Sequence, residues 1–178
     1  MTALNLSKNR RVRLWLDEDL PCEFAETAQL RTEIQSAAAS TSVVTAVALE
    51  LFVPEGGRFS YAMLGARFSG AGTGGKVEIA VNVADAGLRY PSALSGDLDE
   101  VRIGLPREYA AAVLEESKRA VLEKGTLPAG RLVVSCAAHG RVGSNRATFR
   151  RLASIIAQSL GLWPRETRTA AIVRLLEQ

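Results

Sequence analysis

From residue 41 onward the chain alternates apolar with polar or small side chains and is rich in β-branched residues. VVTAVALELFV, FSYAMLGARF and KVEIAVNV read as three strands, joined by the turn PEGGR and the glycine-rich SGAGTGG. Two such tight connections predict an antiparallel meander. Upstream, residues 18–39 contain no glycine, have no proline after Pro21, and are rich in Ala, Glu, Gln and Arg, which predicts a helix or two short ones. Residues 85–95 read as a loop and 98–103 as a further short strand. In the second half, Pro106 suits a first helical turn and Gly125 a left-handed stop, so PREYAAAVLEESKRAVLEKG is a bounded helix. RLVVSCA follows as a strand. Ser144 is placed to cap a helix running through NRATFRRLASIIAQSL, whose Ala147, Leu152, Ile155, Ile156 and Leu160 form one apolar stripe. Pro164 then opens a last helix. The order β-β-β-(β)-α-β-α predicts a single α+β domain.

Composition narrows the classes. A chain of 178 residues with 47% hydrophobic residues buries enough surface for a core without metals or disulfides, which excludes disorder. No apolar run approaches the roughly 18 residues of a membrane span, and the basic start turns acidic where a signal peptide needs its apolar stretch. A cytoplasmic protein without membrane contact is expected. Cys22 and Cys136 stand apart without a CxxC, as reduced, packed thiols do in that compartment. His139 is the single histidine, and with Cys136 it supplies two ligands where zinc needs three or four, so no metal is expected. Charge is unevenly spread: residues 1–100 carry 9 basic and 13 acidic side chains, residues 101–178 carry 13 basic and 6 acidic. A basic C-terminal part favours a polyanionic partner.

Three motifs carry candidate chemistry. Residues 70–76 meet the GxxxxGK spacing of a phosphate loop, but Val77 stands where Ser or Thr would hold magnesium, and the alternating segment that follows is a strand rather than a helix. A hairpin tip is expected there, with no nucleotide cofactor. Cys136, His139 and Ser144 could pair a nucleophile with a base, yet positions three apart on a strand point to opposite faces, and a histidine in an exposed loop is the preferred reading. The turn from His139 to Arg146 opens a helix, where unpaired N–H groups, Arg141 and Arg146 attract anions. A further feature concerns association: VVTAVALELFV carries Glu50 but no lysine or proline before Pro54, so if it borders the sheet it is predicted to pair with another chain.

GLPREYAAAV (104–113), GTLPAG (125–130) and VGSNRATFRRLAS (142–154) resemble domain four of translation elongation factor G. That family shows a Pro-x-Glu-Tyr-x-x-Ala-Val helix start, a Gly-x-Leu-Ala-Gly turn, and Val-Asp-Ser-Ser followed by Ala-Phe. Pro106, Glu108, Tyr109, Ala112, Val113, Gly125, Leu127, Gly130, Val142, Ser144 and Phe149 match. Upstream, two registers compete. The hairpin SGAGTGGKVEI preserves the downstream spacing and is preferred; Gly56-Gly57-Arg58 with Tyr61 is closer in letters to the family's GGRGQYG. The chain departs from the family in a shorter segment between Gly130 and Val142, in Gly143 where the family has aspartate, and in Gly140, beside His139, where it has a tip histidine.

The resemblance implies the fold of the second domain of ribosomal protein S-five: a mostly antiparallel sheet with helices on one face and a left-handed β-α-β crossover. Within a single domain spanning 1–178, residues 1–60 become an N-terminal addition to the sheet, 61–161 the core and 162–178 a C-terminal helix. In the elongation factor this domain has no GTPase of its own and contacts transfer RNA at the decoding centre with loops at one tip, which fall by position on 69–75 and 138–145. No GTPase switch motif occurs in the sequence. The implied function is that of a non-enzymatic, stand-alone protein binding ribosome or structured RNA through Arg67, Lys76, His139, Arg141, Ser144, Asn145, Arg146 and Arg150. The alternative is a protein-interaction or dimerising module on the same scaffold, using an edge strand. A phosphoryl-transfer enzyme, also found on this fold, would need a glycine-serine-rich helix loop that the sequence lacks.

Overall fold

The computed structural model describes residues 1–6, 9–36, 44–70, 75–85, 87–125, 127–162 and 165–178. Eight strands form one sheet: β1 (Thr2–Asn5), β2 (Arg11–Leu16), β3 (Ala28–Gln35), β4 (Val44–Glu55), β5 (Arg58–Gly70), β6 (Lys76–Val83), β7 (Val101–Ile103) and β8 (Gly130–Gly140). The α-helices among the described residues are α1 (Arg107–Lys124), α2 (Arg146–Leu160) and α3 (Arg165–Glu177). Across the sheet the order is β1-β2-β4-β5-β8-β6-β3, with β7 paired to the far end of β8. Among the described residues only β6 with β8 is parallel. The protein has the expected α+β class with a mostly antiparallel sheet. Helix α1 ends as its sequence requires: Gly125 is left-handed at φ +60° and its N–H donates to Val121 O at 2.8 Å.

Three expectations give way. Residues 18–39 hold strand β3 instead of a helix, with 37–39 outside the described residues. In β3, Leu30 and Ile34 pack into the helix-covered core while Arg31, Glu33 and Gln35 stay exposed, and eight successive pairings with β6 outweigh local helix propensity. The central strands are not a meander either. Strands β4 and β5 form a hairpin paired from Val44↔Ser69 to Glu55↔Arg58, but β8 lies between β5 and β6. Strand β8 is apolar on both faces, and a strand of that kind belongs in the middle of a covered sheet. Finally, β4 is no border: it bonds to β2 on one side and β5 on the other, and Ala46 and Ala48 are buried. Dimerisation through this strand is therefore excluded.

The two faces of the sheet are covered differently. Helices α1 and α2 pack on one face, α1 over β3 and β6 and α2 over β4 and β5, and α3 packs against α2. The opposite face is covered by the segments around residues 17–27 and 84–100, over a second core that includes Trp15, Tyr61, Met63 and Cys136. Arg168 on α3 is fully buried; it donates through Nη1 to both oxygens of Asp17 at 2.9 Å and through Nε and Nη2 to Leu162 O, tying α3 to the end of β2. Cys22 and Cys136 are free thiols, both buried, as the sequence suggested. The fold also brings their sulfurs to 3.3 Å, with Met63 Sδ at 3.3 Å from Cys22 Sγ. The hydrogen bond with Cys136 and then burial push the Cys22 thiol far up, so it stays protonated.

Glu50 anchors the second core. It is completely buried in β4; Oε1 accepts from Tyr61 Oη at 3.0 Å and Leu94 N at 2.7 Å, and Oε2 from Arg13 Nη1 at 3.1 Å. It thereby ties β2, β5 and the covering loop to β4. Burial pushes its carboxyl above the ordinary value of 4.5, against the opposing pull of Leu94, Arg13 and Tyr61. The folded state therefore holds this proton more tightly than the unfolded chain. Its contribution to stability is largest at acid pH and declines as pH rises above 4.5. Glu50→Gln should flatten that decline in urea midpoints measured against pH. Glu50→Ala leaves buried donors unpaired and should cost about 3–5 kcal/mol at neutral pH in the same assay.

Candidate functional site

The β4–β5 turn and the turn between β8 and α2 meet at one end of the sheet. Gly56 (φ +51°) and Gly57 (φ +87°) close a two-residue hairpin between the paired Glu55 and Arg58, a turn that needs positive φ at both central positions. Alongside, Tyr61 N donates to Gly143 O at 2.9 Å, and Ser144 Oγ donates to Tyr61 O at 2.8 Å while accepting from Gly140 N at 2.8 Å. The carboxylate of Asp99, itself buried, accepts from Val142 N at 3.1 Å and Gly143 N at 2.8 Å and so fixes the second turn. Gly143 has no room for a side chain: a Cβ there would come within 2.7 Å of Phe59 Cδ2. An aspartate at this position could not be accommodated without moving Phe59, whose ring stacks on Phe52 at 5.5 Å.

The proposed site residues fall into two groups. Arg67 and Lys76 lie where β5 and β6 meet the start of β8, since Gly70 and Val77 both pair with Gly130. His139 lies within the last two residues of β8 and residues 141–146 just beyond that end. Arg67 lies opposite Val133, six strand residues or roughly 20 Å from His139, and Lys76 lies level with the start of β8, roughly 33 Å from it. The loops 69–75 and 138–145 thus do not form one tip, and 71–74 lie outside the described residues. The turn that does accompany 141–145 is the one at Gly56-Gly57-Arg58.

Most of the charged candidates are already neutralised. Arg67 pairs with Glu23 at 3.2 Å, Lys76 with Glu33 at 3.0 Å, Arg146 with Glu108 at 3.3 Å and Arg150 with Glu115 at 3.5 Å. His139 is not in an exposed loop: β8 runs on to Gly140, the ring is half-buried, and Nδ1 lies 3.1 Å from Gly104 O with Tyr109 at its edge. Cys136 is fully buried among other sulfurs and does not face it. Ser144 holds the two turns together, and the helix cap is Asn145, whose Oδ1 accepts from Thr148 N at 2.9 Å. Asn145 is the better cap because Ser144 is already occupied by Tyr61 and Gly140. Arg58 and Arg141, both exposed, form no ion pair among the described residues.

Arg58 and Asp99 escaped the sequence reading. The GGR letters pointed to the first, whereas no local pattern marks an aspartate that binds amides more than forty residues away. Chemically, the tip presents two guanidinium groups outside any ion pair among the described residues and a third, Arg146, in an exposed pair that contributes little by itself. Beside it lies a cleft of about 310 Å³ between the hairpin and α2, with Glu55, Ser60, Asn145, Thr148 and Arg151 at its polar rim. Such a surface can bind phosphates without chemistry of its own. Among the described residues no three His, Cys, Asp or Glu side chains come together to hold a metal, and no helix is long and apolar enough to cross a membrane. No protein-family model matches the chain, and no curated protein matches it.

Two substitutions test the construction of the tip. Gly143→Ala should destabilise the protein by about 1–3 kcal/mol in thermal or urea unfolding, and Phe59→Ala in the same chain should recover part of that loss. Asp99→Asn should accelerate hydrogen exchange at the Val142 and Gly143 amides well before it affects the amides of β5.

Proposed function

We propose that the chain is a stand-alone relative of elongation factor G domain four, cytoplasmic, that binds ribosomal or other structured RNA through the tip built from residues 56–58 and 141–146. It acts by contact rather than by catalysis. The observation that carries this reading is the convergence of two separately encoded turns at one end of the sheet, with Arg58 and Arg141 exposed there and outside any ion pair among the described residues. The juxtaposition supports the register in which Gly56-Gly57-Arg58 and Tyr61 match the family's glycine-rich loop. The arrangement of β6, α1 and β8, parallel neighbours joined through a helix, supports the S-five-like fold. The shortened second turn and Gly143 set this tip apart from the family's, so its RNA is expected to differ from transfer RNA at the decoding centre.

Titration of small ribosomal subunits or a structured ribosomal RNA fragment against salt measures the tip. Each phosphate contact removed should lower the slope of log K against log salt by roughly 0.7–0.9. Arg58→Ala with Arg141→Ala should therefore flatten the slope by about 1.4–1.8. Arg67→Ala with Lys76→Ala, at the far end of β8, should leave it unchanged. An equal slope in parent and folded tip variant removes the tip from the interface.

A further inference from the structure

The sheet ends on one side at β3, and among the described residues no strand lies beyond it. Ser36 N donates to Gly75 O in the register of the β3–β6 ladder. Antiparallel pairs alternate between hydrogen-bonded and non-hydrogen-bonded, so the even-numbered residues of β3 direct their backbone groups at β6. Gln29, Arg31, Glu33 and Gln35 then direct theirs outward, along an edge eight residues long. Edges of this length are normally blunted by proline, by a bulge or by charged side chains. Strand β3 has no proline, and its two charges, Arg31 and Glu33, are opposite in sign and so can match a partner strand instead of repelling it.

Its sequence is instead symmetric about Thr32. Gln29 mirrors Gln35, Leu30 mirrors Ile34, and Arg31 mirrors Glu33 with the charge inverted. We propose that β3 pairs antiparallel with β3 of a second copy of this chain, across a two-fold axis at Thr32, joining the two sheets into one. A two-fold contact places each residue opposite its mirror position. Arg31 then faces Glu33 of the second copy, and Glu33 faces Arg31, on the polar face of the sheet. Leu30 faces Ile34 twice on the helix face, where both already pack against the core. The four outward residues form the hydrogen-bonded pairs, and Thr32 meets Thr32 in a non-hydrogen-bonded one, so the side-chain register and the backbone alternation agree.

The charges nearby suit this register. Within one copy Lys76 binds Glu33 at 3.0 Å, while Glu78 lies 3.9 Å from Arg31 and 3.5 Å from Arg131. Glu33 and Glu78 are direct cross-strand partners already flanked by Lys76, Arg31 and Arg131, and an incoming Arg31 adds a further opposite charge beside Glu33. A shift of the register by two residues would set Arg31 opposite Arg31 or Glu33 opposite Glu33 and lose this match. The opposite border, β1, is only four residues long and has no comparable symmetry.

Light scattering and sedimentation equilibrium on the full chain decide the matter. The parent is expected at twice 19.1 kDa at tens of micromolar. Arg31→Glu and Glu33→Arg each create like-charge pairs across the axis and should be monomeric at that concentration. Mixed in equal amounts they should recover the dimer mass, because each then meets opposite charge at both positions. Glu33→Pro removes an outward N–H while leaving the β6 ladder intact, and should also be monomeric with an unchanged circular dichroism spectrum. A monomeric parent, dimers that survive both charge reversals, or a mixture that remains monomeric would each overturn the proposal.

Discussion

Strand β8 is hydrogen-bonded on both edges to strands of opposite sense, antiparallel to β5 and parallel to β6. Most of the architecture depends on that one constraint. A parallel neighbour cannot be reached by a hairpin, so the chain must leave the sheet after β6 and return, and α1 is the return path. Antiparallel pairing with β5 sends the end of β8 toward the start of β5, which is where the β4–β5 hairpin turns. The turn into α2 must begin at that same end. The meeting of the two turns therefore follows from strand direction before any side chain is considered.

Side chains then fix what direction permits. Two buried carboxylates, Glu50 and Asp99, serve as acceptors for backbone N–H groups of loops that have little regular structure. Each replaces contacts that a packed α-helix would have supplied, on a face of the sheet where no α-helix packs among the described residues. The surrounding arginines are mostly consumed in exposed ion pairs, which add little to stability but keep the surface near neutral. Arg58 and Arg141, outside any ion pair among the described residues, place two such guanidinium groups at one tip, while Arg89, Arg107 and Arg174 stand exposed without an ion pair elsewhere.

The helices and inner strands were legible from local signals. Pro106 and Gly125 bound α1, the apolar stripe marked α2, and alternation located β4, β5 and β6. What local patterns do not encode is which strands are neighbours. The Arg-Val-Arg-Leu-Trp-Leu alternation of β2 was there to be read, and β3 was lost to its Ala, Glu and Gln content. The order of β5, β8 and β6 rests on burial of β8 from both sides, a property of the whole sheet. For the same reason the candidate site was half legible. Residues 141–146 are marked by their turn and helix, whereas spacing favours the hairpin at 69–75 as their partner turn, and strand direction sends that hairpin to the opposite end.

The late position of β8 in the chain also shapes how the protein is made. During synthesis β4 and β5 can close their hairpin as soon as residue 70 has emerged, but one edge of β5 and one of β6 stay open until β8 arrives some sixty residues later. Arg168, the partner of Asp17 at the end of β2, appears later still. The nascent chain thus carries long apolar strands with unsatisfied edges through much of its elongation, and non-local pairing of this kind slows folding. Holding chaperones would shield the growing sheet at that stage, whereas slow decoding around residues 85–125 would lengthen its exposure to aggregation.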